Sequence, residues 1–184
     1  CVDWFLESLP AEAGTYASME KLASARSIQG APFFLPFIYG ERCPGWQDRR
    51  LGEFRDVKAG HGLGDLYLAV LEGVLFNVYH CYKLLTEVSR EPEEILISGG
   101  IMNSPLWLQM AADIFGRTLN TTGVKDASTV GAAILALQAI GELPAGEGFQ
   151  PETMTGTPPP SKNAAIYQER FQRSLELYEQ SSTE

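Results

Sequence analysis

With 184 residues, 23 acidic and 14 basic side chains and a net charge of −9, the chain is sized for one domain or one and a half. Apolar residues make up 45% and charged residues 20%, ordinary globular usage that excludes a disordered or fibrous chain. The clustered Lys and Arg needed for binding nucleic acid are absent, and no apolar run approaches the roughly 20 residues of a membrane span. Cys1, Cys43 and Cys81 lie far apart with no CxxC pair, so neither a zinc site nor a disulfide framework is suggested. His61 and His80 are too few for a histidine-rich metal site, and a reducing cytoplasm is the expected setting. The start, CVDWFLESLPAEAG, lacks the basic-then-apolar order of a secretory signal and an initiating Met, so a piece of a longer protein is expected.

Residues 3–9 and 18–26 carry short helical patterns around a Pro-Ala-Glu-Ala-Gly break. APFFLPFIY (31–39) is strongly apolar, but Pro32 and Pro36 deny it a central place in a sheet and predict a buried extended segment or edge strand. A polar loop, GERCPGWQDRRLGEF, and a Gly-punctuated stretch follow. From Asp65, a plausible N-cap, to about Val88 runs a helix apolar nearly all round, the pattern of a buried helix. Residues 94–100 read as a short parallel strand around ILIS. Ser104 then caps a helix with Pro105 at its first position, Leu106, Met110 and Ile114 at four-residue spacing, and Gly116 as its stop. Residues 118–122 predict a second strand, 128–140 a small-residue helix capped by Gly141, 144–161 a Gly/Pro/Thr-rich surface loop, and 167–180 a final amphipathic helix. This order defines an α/β layer with helices on a partly parallel sheet. Two strands are too few for three apolar helices, so further strands are expected in sequence before Cys1.

Gly99 and Gly100 stand where strand hands over to helix, with Asn103 and Ser104 just behind. Free N–H groups and the positive helix end suit a phosphate or the polar edge of a nucleotide there, although a plain tight turn uses the same residues. The G-x-G-x-x-G and G-x-x-x-x-G-K-[ST] motifs are absent. Glu41 and Arg42 read either as a ligand-holding group or as internal ion pairs fixing their loop, and Asp48-Arg49-Arg50 as a solvated face. Gly131, Ala132 and Ala133 permit close packing on a sheet or a ligand's ring. His61 is expected in solvent and His80 in packing. No nucleophile–base arrangement and no carboxylate pair on one helix face is present, so no catalytic residue is named.

Taken together, these segments resemble a known family. FLPFIYGERCPGWQDRRLGEF resembles the "LP-hydrophobic-x-GER-x-P-x-W" block of the FGGY carbohydrate kinases, and AVLEGVLFNVY their "RAVLEGVAF" helix, with Leu68 where Arg is usual. ISGGIMNSPLWLQMAADIFG is similar to their "GGGARSPLWxQMxADxxG" nucleotide block, and DASTVGAAILALQAIGEL to their "GAAxxA" helix. The four blocks span about Val2 to Leu143, and VLEGVLFNVY leans toward gluconate and then xylulose kinases. The resemblance implies an incomplete C-terminal kinase domain of the actin/hexokinase (ribonuclease H-like) type over 1–143, with 144–161 a surface loop and 162–184 the closing helix. It implies ATP and Mg²⁺ as cofactors and phosphorylation of a hydroxyl on an open-chain sugar or sugar acid. Gly100 and Ser104, then Gly99 and Asn103, become the expected nucleotide contacts, with Asp3 where relatives commonly carry Gln. The catalytic aspartate and the phosphate loops would precede the point matching Cys1, so this chain alone is expected to be inactive. The expected partners are the small-molecule substrate, an N-terminal domain of the same chain and a second copy in a homodimer, with no nucleic acid or membrane. A non-catalytic nucleotide-binding or regulatory module on the same fold is the alternative.

Overall fold

A computed structural model describes residues 1–9, 15–122, 126–146 and 154–181. Two short helices, α1 (Val2–Glu7) and α2 (Tyr16–Ser24), open the chain. β1 (Phe33–Leu35) then pairs antiparallel with β2 (Glu53–Arg55), Phe34 opposite Phe54. Pro32 and Pro36 bracket β1, and Phe33, Phe34, Leu35 and Phe37 are buried, as the proline spacing predicts.

The organising element is α3 (Leu63–Val88), 26 residues long. It starts two residues before Asp65, which is not the N-cap. Gly62 holds that position, and the Asp65 carboxylate accepts the Gly62 N–H at 2.9 Å while lying 3.6 Å from the Arg26 Nε. An acid in the first turn serves the helix end equally well, which is why sequence alone misplaces the boundary. By length and composition α3 could cross a membrane, but half of its apolar window is buried inside the fold. It is a core helix in contact with α2, β1 and α4 (Pro105–Phe115). Burial is nearly all round only from Gly64 to Tyr79; Leu85 and Val88 are exposed. At Gly73 a Cβ would meet the Phe34 carbonyl oxygen at 2.1 Å, so a glycine is what lets α3 lie directly on β1.

The second sheet is small and mixed. β3 (Leu96–Ile97) runs parallel to β4 (Asn120–Thr122), and β5 (Met154–Gly156) pairs antiparallel with β4. β5 falls inside the segment expected to be a surface loop, whose residues 147–153 lie outside the described ones. The chain beyond it is tied down: the buried Asp113 of α4 accepts the Ser161 hydroxyl at 2.9 Å and its N–H.

The last helix, α6 (Ala164–Glu179), buries Tyr167, Phe171 and Leu177 against the core. It also buries Arg170, whose Nε and Nη2 each donate to Glu72 of α3 at 2.6 Å. Arg170 further donates to the Ala31 and Pro32 carbonyls at 3.0 and 3.1 Å and lies 4.2 Å over the Phe33 ring. Burial pushes the Glu72 carboxyl above the usual carboxylate range, against the pull of Arg170. One residue thus joins α3, α6 and the entry to β1.

α5 (Ala127–Ala139) departs from expectation. None of its residues is buried, and Ala132 and Ala133 are exposed, so its small residues serve no close packing among the described residues. Leu135 and Ile140, 68% and 71% exposed, leave an apolar face open.

Candidate functional site

The turn from β3 to α4 is built from local rules. Gly99 has φ 91° and ψ −161°, a conformation open to glycine alone, so it is Gly99 rather than Gly100 that the backbone demands. Gly100–Asn103 forms a single 3₁₀ turn. Ser104 then caps α4, accepting the Trp107 N–H at 3.1 Å, with Pro105 at the first helical position and Gly116 ending the helix in the left-handed region.

Gly100, Asn103 and Ser104 line a cavity of about 770 Å³, and Asp3 of α1 lines it too. Four of the five residues expected from the sequence converge here; Gly99 shapes the turn without lining the cavity. A Cβ at Gly100 would meet nothing within 4 Å, so the approach to this backbone is open. Val74, Leu75, Val78 and Ile97 supply an apolar wall, and Trp107 closes one side, its indole N–H on the Leu71 carbonyl at 2.9 Å.

Glu20 of α2 is the residue that sequence reasoning misses. Its Oε1 accepts the Ser104 hydroxyl at 2.7 Å and the Leu106 N–H at 3.1 Å. A carboxylate so placed neutralises the positive end of α4 and fixes the Ser104 hydroxyl. That hydroxyl spends its proton on Glu20 and one lone pair on Trp107, leaving a single acceptor position for a ligand. Asp3 accepts the Tyr16 hydroxyl, and this bond first, then burial, pushes the phenol up to about 12. Burial first, then the Glu20 charge, pushes Tyr67 to about 12 as well. Both phenols therefore remain protonated donors near neutral pH.

The polar side chains of the lining are thus the Asp3 and Glu20 carboxylates, the Tyr16 and Tyr67 phenols, the Ser98 and Ser104 hydroxyls and the Asn103 amide, with no Lys or Arg side chain among the described residues. Such a set suits the hydroxyls and amino groups of a nucleoside. The site fits the adenosine end of a nucleotide. Among the described residues no three His, Cys, Asp or Glu side chains come together.

The GER loop is decided differently. Glu41, fully buried, accepts the Gly45 N–H at 2.7 Å and the Tyr178 hydroxyl at 2.6 Å, with the Arg50 Nε 3.1 Å away. Arg50, expected in solvent, is 5% exposed, donates to the Tyr178 carbonyl and the Ser181 hydroxyl at 2.7 Å each, and stacks 4.0 Å over the Tyr178 ring. Glu41 is an internal anchor of the loop, paired with Arg50 on its far side. Arg42 forms an exposed ion pair with Asp48. His80 packs edge-on to Tyr178 at 5.2 Å, while His61, expected in solvent, bridges the Lys58 N–H at 3.1 Å and the Gly30 carbonyl at 3.0 Å.

Helices on a mixed sheet, with a glycine turn opening onto a cavity at the end of a parallel strand, define an actin/hexokinase-like α/β domain. Residues 1–140 match the FGGY family of carbohydrate kinases, C-terminal domain, and the chain belongs to that family. It is 29% identical to a probable L-xylulose kinase of Pasteurella multocida over 96% of this chain and 35% of that protein. It is 36% identical to a gluconokinase of Bacillus licheniformis over 60% of this chain and 22% of that protein. The crystal structure of gluconate kinase from Lactobacillus acidophilus superposes with a TM-score of 0.78 at 28% identity, over 96% of this chain and 36% of that one. The chain therefore spans about a third or less of the relatives it matches.

Proposed function

We propose that this chain is the adenosine-binding part of the C-terminal domain of a cytoplasmic, ATP-dependent carbohydrate kinase. Its acceptor is a hydroxyl of an open-chain sugar or sugar acid, of the gluconate or xylulose class. Residues 1–143 and 162–184 form one domain in this reading, with 144–161 an excursion from it. The observation that carries the proposal is the convergence of Gly100, Asn103, Ser104 and Asp3 on one cavity.

In this reading ATP supplies the phosphoryl group, and the residues here hold its nucleoside. Gly100 lets the base lie against the strand end, and Asn103, whose amide is bonded to no described residue, offers donors and an acceptor to the base edge. Ser104 offers its remaining lone pair, and Asp3 and Glu20 accept hydroxyl protons while keeping the polyphosphate pointed away. The phosphates, with Mg²⁺ carried on them, then extend toward a second domain that contributes the general base. The chain by itself has no kinase activity in this reading.

Titrating the protein with adenosine, ADP and ATP, followed by the fluorescence of Trp107 against a Trp107→Phe control, tests this. Adenosine and ATP should bind within about tenfold of each other, 1.4 kcal/mol, because no Lys or Arg side chain among the described residues lines the cavity to meet the phosphates. Binding of ATP with none of adenosine would sink the reading.

A further inference from the structure

Cys43 and Cys81 stand 38 residues apart in sequence, yet their sulfurs lie 3.3 Å from each other. Cys43 sits exposed in the loop after β1, and Cys81 is half-buried on the last turns of α3. A disulfide needs its sulfurs at about 2.05 Å, so roughly 1.3 Å of closure is required, within reach of an exposed loop residue. The loop is held in place on either side of Cys43, by Glu41 on Gly45 and Tyr178 and by Arg50 on the Tyr178 carbonyl, so Cys43 is presented to α3 rather than drifting past it. No metal accounts for the pair, since no third His, Cys, Asp or Glu joins it among the described residues.

We propose that Cys43 and Cys81 form a reversible disulfide that clasps the GER loop to α3 on exposure to a hydroperoxide. The roles are set by access. The exposed Cys43 thiolate attacks the terminal peroxide oxygen, the O–O bond breaks, and the departing hydroxide or alkoxide takes a proton to leave as water or alcohol, giving a sulfenic acid at Cys43. Burial first, and then Cys43 itself, pushes the Cys81 thiol up to about 12, so Cys81 is not the first target. Its sulfur then attacks the Cys43 sulfur, the S–O bond breaks, and the Cys81 proton leaves with that oxygen as water. Two thiols are oxidised, one peroxide is reduced by two electrons, and a dithiol reductant reverses the bond by exchange.

The test is peptide mapping of the 184-residue chain after hydrogen peroxide, with free thiols alkylated before digestion under non-reducing conditions. A linked Cys43–Cys81 peptide should appear, vanish with dithiothreitol, and persist in Cys1→Ser. The closed loop should raise the thermal midpoint by about 5–15 °C over the reduced protein. In Cys81→Ser the link should be lost and Cys43 recovered as a sulfenic acid trapped by dimedone. The proposal is overturned if both cysteines of the oxidised parent are recovered separately, or if Cys43 links instead to Cys1 or to a second chain. Mapping of the parent decides the matter even if Cys81→Ser fails to fold.

Discussion

Replacing Arg170 by Met tests how the closing helix is held on the core. The substitution keeps most of the aliphatic stem but removes four hydrogen bonds: two charge-assisted ones to Glu72 and two to the Ala31 and Pro32 carbonyls. Both side chains are almost inaccessible, so water does not replace what is lost. Breaking a buried pair from one side costs about 3–5 kcal/mol, and two deprived carbonyls add about 1 kcal/mol each. The expected loss is about 5–7 kcal/mol, a large part of the roughly 5–15 kcal/mol that stabilises a domain. Urea unfolding followed by far-UV circular dichroism measures it; with a slope of about 2 kcal/mol per molar, the midpoint falls by about 2.5–3.5 M or folding is lost. Removing both charges, as Glu72→Leu with Arg170→Met, should recover most of the loss. The pH dependence has a definite sign. An unpaired buried Glu72 has a folded pKa raised above its unfolded value, so the folded state binds more protons between the two. Arg170→Met should therefore regain stability as pH is lowered toward the ordinary glutamate value. A loss below about 1 kcal/mol, or a double variant as unstable as the sum of the singles, would refute this account of the pair.

Other expectations concern the cavity and the histidine beside the GER loop. Glu20→Ala should cost about 0.5–2 kcal/mol through the α4 cap and, in an enzyme carrying this domain, raise KM for ATP more than it lowers kcat; an unchanged KM in a folded variant would remove Glu20 from the site. Gly100→Val, whose added Cβ meets nothing within 4 Å, should leave stability nearly unchanged and weaken nucleotide binding, whereas Gly99→Val should destabilise through its positive φ; equal unfolding midpoints for the two would contradict the assignment. Burial holds His80 below the ordinary imidazole value, so the unfolded chain takes up its proton first on acidification. Its contribution is full above about pH 6.5 and is lost as pH falls toward the folded pKa; the pH slope of the thermal midpoint should flatten in His80→Gln. With Leu135 and Ile140 of α5 exposed, the chain should self-associate, and a single monomeric boundary in sedimentation velocity would contradict this.

What the sequence determined by itself is whatever depends on neighbours in the chain. Ser104 before Pro105 and Gly116 after Phe115 mark α4 because capping bonds span only a few residues. The prolines around β1 announce an edge segment because they remove donors locally, and the block order from FLPFIYGER to the small-residue helix carries the family. The tertiary structure decided the pairings: Glu20 with Ser104 across 84 positions, Glu72 with Arg170 across 98, Glu41 with Tyr178 across 137, and the two cysteines across 38. An acid in a helix or loop reads alike whether it faces solvent or a buried cation, and nothing local says which distant residue will meet it. The same holds for α5, whose composition reads as buried while its residues stand exposed. Helix periodicity fixes which residues share a face, but what covers that face is set by elements far away in sequence.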